Sequence, residues 1–396
     1  GCAPAPARKP AMPAARAAAV AAVLILADAA AACTFCDGSL RSRQTLRLHH
    51  AGAKVVLAGQ LRNPKFDTAT NGGTTDFVVT AVLKDHPARA NRAVLTLPKY
   101  LPVVGDTPPD YLIFCDVANG ALDATYGLSA PAAVVEYVKA AHAADDPDPA
   151  KRLGFFFRHL DHANPTISAD AFLEFARAAD GDILKAAAGF DRAKVRRLIA
   201  DPATPADRLG VFAFLLGVCG TADDAAFLAA MLTPNPPADR ASAAFGGLLA
   251  GYILLKPADG WAFAARVLAD ERRGYAERLS TISTVRFFQA TRPAESKAAV
   301  LRCCAALVPC GDLADQAVED LRRWGYWELT ADVLAQFGKA THSAPIVRRS
   351  IVRYAITCPT DEARRFVAAL RQTDPRLVGD VEDQIRRFEQ VPAPKN

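Results

Sequence analysis

The chain has 396 residues, of which 51% are hydrophobic and 22% are charged. This length exceeds the usual size of one domain, and the apolar content excludes a largely disordered protein. The formal net charge is +5, but Arg8, Lys9 and Arg16 against Asp28 supply +2 of it within the first 32 residues. The remaining charge is too diffuse for a nucleic-acid-binding face, so no nucleic-acid partner is expected.

The first segment, residues 1–32, has the three parts of a secretory signal peptide. Basic residues precede an apolar run from Ala17 to Ala27, and small residues from Ala29 to Ala32 end it directly before Cys33. The apolar run is shorter than the ~20 residues that span a membrane, which argues against a retained anchor. We therefore expect cleavage near Ala32, a secreted or periplasmic location in the cell envelope, and no stable transmembrane segment after cleavage.

The start of this leader and the fate of Cys33 leave alternatives open. Met12 to Ala32 forms a complete short leader, which makes residues 1–11 an upstream extension. Acylation of Cys33, as in a lipoprotein, is the minor alternative. A lipoprotein leader has a larger apolar residue three positions before the cysteine, where this chain has Ala30.

Export also decides how the cysteines are interpreted, because disulfides persist in oxidising compartments. Cys33 and Cys36 form a C-x-x-C pair and are disulfide or redox candidates, with Cys115 as the third candidate. We expect one disulfide among these three. No second C-x-x-C motif completes a zinc site. Cys219 and Cys304 are expected to be reduced and buried, as cysteines in apolar surroundings usually are.

Residues 53–128 show the pattern of short strands without an intervening helix. The apolar runs are Lys54–Leu61, Thr75–Leu83, Ala93–Leu97 and Tyr111–Cys115, and a turn signal lies at Asn71-Gly72-Gly73. Four or five such strands predict a small antiparallel sheet or barrel of the oligonucleotide-binding (OB) type.

The cysteine pair and three of the strands carry a family resemblance. The pair follows the leader directly, and the strands read VVLAGQL, DFVVTAVLKD and YLIFCD. From Cys33 to Cys115 the chain thus resembles the netrin-type module of tissue inhibitors of metalloproteinases and some secreted bacterial proteins. The resemblance implies disulfides from the first cysteines to later ones, with Cys33, Cys36 and Cys115 in those positions. The inhibitors, however, use a C-x-C spacing and more cysteines.

Beyond Pro131 the pattern is helical. A helix is predicted over Ala132–Ala143, and the acidic, proline-rich segment Asp145–Pro149 is interpreted as a domain boundary. After it, helical periods alternate with breaks rich in Pro, Asp and Gly. Helix pairs such as Ala206–Cys219 with Ala222–Leu232 are similar to HEAT repeats and predict an α-solenoid. An irregular all-α domain is the alternative.

The predicted fold is therefore multidomain. A small antiparallel β-barrel, OB- or netrin-like, over residues 33–130 is followed by a helix and linker over residues 131–150. An all-α HEAT-like solenoid occupies residues 151–390. Solenoid stability is roughly a sum of nearest-neighbour terms, so we expect the helical part to fold without the β-domain.

Catalytic motifs are not found in the sequence. It has no G-x-S-x-G, H-E-x-x-H, phosphate-binding loop or G-x-G-x-x-G, so we expect no cofactor and favour a non-enzymatic role. The glycines between Gly246 and Gly251 lie in a helical stretch and are interpreted as close helix packing. His159 and His162 are weak candidates for metal ligands, because a spacing of three can place them on one helix face. A helix C-terminus, where imidazoles complement the dipole, is the favoured interpretation.

Arginine pairs recur along the helical part. Arg348, Arg349 and Arg353 form one such cluster, and stacked repeats could align arginines on one face as a docking surface for an acidic partner. Acidic residues are nearly as numerous, so a solvated, salt-bridged exterior is the alternative.

Three functions follow from these features. The favoured one is an exported non-catalytic binding or scaffolding protein of the bacterial envelope with an unidentified protein partner, because both predicted domains are common recognition folds. The second is a netrin-like enzyme inhibitor that acts through the Cys33 segment. The third is a thiol oxidoreductase that uses Cys33 and Cys36. It ranks last because that fold has a strand before the C-x-x-C motif, where this chain has a leader.

Overall fold

The computed structural model describes residues 33–36, 38–103, 107–233 and 239–389. The predicted leader lies outside the described residues, as does residue 390 at the end of the predicted solenoid. The described residues all fall in one compact unit.

Five strands form one antiparallel sheet in the order β3-β2-β1-β4-β5. They are β1 (Val55–Asp67), β2 (Gly72–Lys84), β3 (Val94–Leu97), β4 (Asp110–Ala118) and β5 (Ala121–Ser129). β1 pairs with both β2 and β4 at the centre of the sheet, while β3 and β5 are its edges. Within the described residues these edges do not pair with each other, so the sheet is open and the predicted closed barrel is not seen. β3 has only four residues, which offer few hydrogen bonds for closure.

The β1–β2 hairpin ends in a turn that the sequence predicted. Asn71 has a φ of +48° and Gly73 a φ of +148°. A Cβ on Gly73 would lie 2.1 Å from the carbonyl oxygen of Lys65, so this position requires glycine. Asp67 fixes the turn, because its carboxylate accepts hydrogen bonds from the amide of Ala69 at 2.9 Å and from the hydroxyl of Thr70 at 2.8 Å.

The two faces of the sheet contribute to two different cores, because side chains alternate along a strand. Val55 and Leu57 belong to a small core that contains only residues of the sheet. Val56, Ala58 and Phe114 on the other face belong to a large core that continues through the helices. The sheet and the helices therefore share a hydrophobic core.

Helices form most of the remaining described chain. They are α1 (Leu46–Gly52), α2 (Ala132–Ala143), α3 (Pro149–Phe157), α4 (Pro165–Arg177), α5 (Asp180–Ala187), α6 (Arg192–Ala200), α7 (Ala206–Cys219), α8 (Ala222–Leu232), α9 (Asp239–Ala243), α10 (Phe245–Leu255), α11 (Pro257–Ala269), α12 (Tyr275–Thr291), α13 (Pro293–Leu307), α14 (Ala314–Trp324), α15 (Thr330–Leu334), α16 (Pro345–Thr357), α17 (Asp361–Thr373) and α18 (Pro375–Glu389). Several begin with proline, whose fixed φ and missing N–H suit the first helical position. None of these described helices is long and apolar enough to cross a membrane.

The helices stack in a repeat-like order. α7 contacts α10, α10 contacts α12, α14 contacts α16, and α16 contacts α18. Arg286 of α12 pairs with Asp320 of α14, which joins the two halves of this series. We call the series α7, α10, α12, α14, α16 and α18 the first row. A second series includes the contacts of α11 with α13 and of α15 with α17.

Glycines allow α7 and α10 to approach closely. A Cβ on Gly247 would lie 2.0 Å from the carbonyl oxygen of Gly210, and a Cβ on Gly251 would lie 2.3 Å from that of Ala213. Larger residues at these positions would force the two backbones apart. The predicted close packing at these glycines is confirmed.

The predicted domain boundary falls in the loop between α2 and α3. Arg47 of α1 bridges this loop and the helices, with its guanidinium 2.9 Å from Asp145 and 3.0 Å from Glu174 of α4. The independent folding of the helical part stays a prediction.

Candidate binding groove

One face of α16 carries an exposed apolar residue between positive charges. Ile346, Arg349 and Arg353 follow each other at intervals of three and four residues, so their side chains share a face of the helix. Ile346 is 64% exposed, the highest value among the large hydrophobic side chains that the structure describes as exposed. Its neighbour Val347 is buried in the core. The face with Ile346 therefore points away from the core.

A cavity of about 470 Å³ opens in front of this face, where α12, α14, α16 and α18 meet. Its lining consists of Arg286, Asp315, Gln316, Glu319, Arg323, Ile346, Arg349, Ser350, Arg353 and Gln384. We call it the arginine groove. Four arginines against two carboxylates give the lining a positive excess.

Two of the four arginines are held in place by neighbouring helices. Arg286 donates hydrogen bonds to Asp320 at 2.7 Å and to Gln316 at 2.9 Å. Arg353 donates to Gln384 at 2.9 Å and to Glu319 at 3.4 Å. These bonds connect α12 with α14, and α16 with both α14 and α18. The walls of the groove are thus preorganised by charge-assisted hydrogen bonds.

The other two arginines are accessible. Arg349 is exposed and makes no ion pair or hydrogen bond with any residue that the structure describes. The side chain of Arg323 is 63% exposed and lies 3.6 Å from Glu319. A guanidinium presents a planar set of donors that fits a carboxylate. The groove therefore offers cationic groups to a bound anion.

Two carboxylates balance part of this charge. Burial alone would raise the pKa of Glu319, but the hydrogen bond from Arg322 and the charges of Arg353 and Arg323 lower it below its ordinary value. Glu319 is therefore ionised at neutral pH. Burial raises the pKa of Asp320 above its ordinary value, although Arg286 opposes this shift. Asp320 lies behind Arg286, outside the lining of the groove.

Arg348 lies on a different face of α16. Its guanidinium is 5.3 Å from the ring centre of Phe337 and 3.4 Å from the carboxylate of Asp374. It does not line the groove. Of the three arginines proposed from the sequence, the structure brings Arg349 and Arg353 together and separates Arg348 from them.

The C-x-x-C segment lies against the opposite end of the first row. The ring centre of Phe35 is 4.9 Å from that of Phe214 and 5.0 Å from that of Phe287. Thr34 donates from its amide at 2.9 Å and from its hydroxyl at 2.5 Å to the carboxylate of Asp180. A cavity of about 510 Å³ borders the segment. Phe35 is thus the apolar anchor of a short turn that covers α7, α10 and α12.

The three cysteines predicted to contain a disulfide lie in different surroundings. Cys33 is fully buried in the large core, while Cys36 is half-buried and borders the cavity beside Phe35. Cys115 lies in the small core of the sheet, where burial raises the pKa of its thiol to about 11. No two cysteines of the described residues lie at disulfide distance, so the predicted disulfide is not seen.

Cys219 lies in α7 and Cys304 in α13, each at an apolar position of its helix. Cys304 is buried, whereas Cys219 is only half-buried. Burial raises the pKa of both thiols, that of Cys219 to about 11. Because the thiolate is the reactive form, both are poor nucleophiles at neutral pH.

The histidines proposed as weak metal ligands follow the end of α3. Nδ1 of His159 lies 3.0 Å from the carbonyl oxygen of Phe155, and Nδ1 of His162 accepts from the amide of Asn164 at 3.0 Å. Their ring centres are 6.2 Å apart. In the described part of the chain no group of three or more potential ligands could hold a metal ion. Both histidines therefore form hydrogen bonds with backbone groups near the end of α3.

Several residues of the groove were not predicted from the sequence. Arg286 and Arg323 belong to α12 and α14, and their approach to Arg353 depends on how helices more than thirty residues apart stack. Ile346 could have been found, because it precedes Arg349 and Arg353 on the polar face of a predictable helix. The sequence predicts no role for Phe35 beyond its place between Cys33 and Cys36.

Comparison with known proteins gives no indication of function, so the arginine groove is the main evidence for it. No protein family matches the chain, and no curated protein or solved structure matches it either.

Proposed function

We propose that this chain is an exported, non-catalytic binding protein of the bacterial envelope that holds a protein partner in the arginine groove. The observation that carries the proposal is the juxtaposition of the unpaired Arg349 with the exposed Ile346 in a cavity whose walls are fixed by ion pairs. Arginine is enriched at protein interfaces, and the exposed side chain of Ile346 adds apolar surface that a partner can bury.

The chemistry of the groove favours binding over catalysis. Arg286 and Arg353 are engaged in structural hydrogen bonds. Glu319 has a lowered pKa and is ionised, so it is a weak base at neutral pH. A positive groove of this kind can attract and orient a partner without any proton transfer.

The architecture and the location are parts of the same proposal. The successive contacts along the first row support a HEAT-like solenoid, in which stacked helices build one extended surface. The strand sequences after the C-x-x-C pair support a netrin-like relationship of the sheet. The order of basic, apolar and small residues in the leader supports export.

Capture from envelope extract tests the proposed function. The whole protein, Arg349→Glu and Arg376→Glu should be immobilised in equal amounts and incubated with extract of the native host. Arg376 is the matched control, because it is exposed in the first turn of α18 and lies outside the groove. We expect proteins that the wild type and Arg376→Glu retain and that Arg349→Glu loses.

A folding check makes this result decisive. Arg349 is exposed and unpaired, so its reversal should change the free energy of unfolding by less than about 0.5 kcal/mol. Denaturation in urea measures this directly. If the wild type and both variants are folded and capture the same proteins, the groove is not the binding site.

A further inference from the structure

The two cavities of the first row are neighbours, and the Phe35 turn lines one of them. Ser283 lines the cavity beside Phe35, and Arg286 lines the arginine groove. The two residues are three apart on α12, where side chains lie side by side. The Phe35 turn shows that an irregular chain segment can pack on this row through an apolar side chain, while its hydrogen bonds go to Asp180 of α5.

The charges of the arginine groove select the occupant of the second cavity. Arg349 and Arg323 are accessible cations, and guanidinium groups bind carboxylates through charge-assisted hydrogen bonds. Asp315 and Glu319 also line the groove and would repel a densely charged polyanion such as a phosphate-rich surface. A chain that alternates carboxylates with neutral groups fits this mixed lining better.

Polar groups beside the arginines suit a peptide backbone. Gln384 accepts from Arg353 through its side-chain oxygen, which leaves its NH₂ group as a donor for a carbonyl oxygen. Ile346 offers an apolar contact at one edge of the groove. Four neighbouring helices spaced by about 8–10 Å span roughly 25–30 Å, which an extended segment of about eight residues covers.

We infer that the arginine groove binds an extended acidic protein segment, with a carboxylate on Arg349 and an apolar side chain against Ile346. The inference rests on the proposed function and names the class of its partner. The energy comes from charge-assisted hydrogen bonds to the accessible Arg349 between walls that Arg286 and Arg353 fix, and the apolar contact fixes the register of the segment.

Fluorescence anisotropy with defined peptides tests the inference on the whole protein. The first probe is a labelled peptide of about ten residues, long enough to cross the groove, that alternates Asp and Ser around a central Leu. A second peptide replaces each Asp by Asn, and a third replaces the Leu by Ser. Vesicles of phosphatidylglycerol serve as the probe for a lipid surface.

We expect the acidic peptide to bind, and the Asn peptide and the Arg349→Glu variant each to weaken binding about tenfold or more. Loss of the Leu should weaken binding by a smaller factor, as should Ile346→Ser with the original peptide. Arg376→Glu should bind like the wild type. Added salt should weaken the complex, because the contacts are ionic.

The other outcomes separate the inference from the proposed function. If the acidic peptide fails to bind while capture from envelope extract still depends on Arg349, the acidic segment is wrong and the binding function stands. Vesicle binding that depends on Arg349, without peptide binding, would likewise replace the peptide by a lipid surface. Failure of both the peptide and the Arg349-dependent capture would remove the proposed function as well.

Discussion

The two ends of the first row differ in what covers them. At the end formed by α7, α10 and α12, the turn with Phe35 packs on the helices and is fixed by Asp180. At the end formed by α14, α16 and α18, Arg349 has no partner and Ile346 is exposed within the described residues. Within the described residues, the chain thus packs a turn of its own on one end of the row and leaves Arg349 and Ile346 accessible at the other.

The residue types at the two ends explain this difference. Small residues such as Gly210 and Gly246 leave room for the Phe35 turn, whose carbonyl oxygen would lie 3.1 Å from a Cβ on Gly210. The other end has long cationic side chains, whose planar donor groups match the geometry of a carboxylate. Apolar packing therefore covers one end, while the other end leaves a guanidinium accessible among the described residues.

The largest expected effect concerns the covered end. Phe35→Ala removes a ring that packs on Phe214 and Phe287 and enlarges the cavity that this ring borders. Because Phe35 is half-buried, we expect a loss of about 2–3 kcal/mol in the free energy of unfolding, below the range for fully buried rings. Urea denaturation measures this loss.

Phe66→Ala is the matched control for this change. Phe66 is 50% exposed on β1, and its ring contact is an edge-on pair with Tyr100. Its truncation should cost less than about 1 kcal/mol. Equal losses for the two variants would show that the Phe35 turn adds nothing to the stability of the helices.

A smaller effect is expected from a second anchor of the N-terminal part, at Asp170 of α4. Its carboxylate accepts from the amide of Leu46 at 2.7 Å and from the hydroxyl of Tyr137 at 2.8 Å. Burial raises the pKa of Asp170 from 3.8 to about 6, although these hydrogen bonds oppose the shift. Between these values the folded state binds more protons, so Asp170 makes the protein less stable as the pH rises through this window.

Asp170→Asn tests this pH dependence. The variant removes the titration and keeps an acceptor of similar size. The difference in unfolding free energy between the variant and the wild type should change in favour of the variant by on the order of 2 kcal/mol as the pH rises from about 4 to about 7. Denaturation series at several pH values measure the difference. A difference that stays constant over this range would show that Asp170 titrates as an ordinary exposed carboxyl.

The elements of the fold were predictable because local chemistry determines them. Pro149 and Pro165 begin helices since proline suits only the first helical turn, and Asn71 and Gly73 adopt the positive φ values of a hairpin turn. The open sheet was not predictable, because the pairing of its edges depends on distant strands. The core shared by the sheet and the helices was not predictable either, because it also depends on distant parts of the chain.

The candidate site was predictable only in part. The spacing of Arg349 and Arg353 indicates one helix face, and the structure places both in the groove. Arg348, the third candidate for partner binding, lies outside the groove because adjacent positions on a helix point about 100° apart. Arg286 joins the groove from a helix that the sequence could not place beside α14. Long-range stacking therefore decides most of the site.

Photo-crosslinking in the native host tests the groove most directly. A photoreactive amino acid at Ile346 should form adducts with a partner protein, and these should disappear when Arg349→Glu is also present. The same group at Tyr275, which is 59% exposed at the start of α12 and lies outside the groove, should not form them. Equal adducts from both positions, or adducts at Ile346 that persist with Arg349→Glu, would contradict binding through the arginine groove.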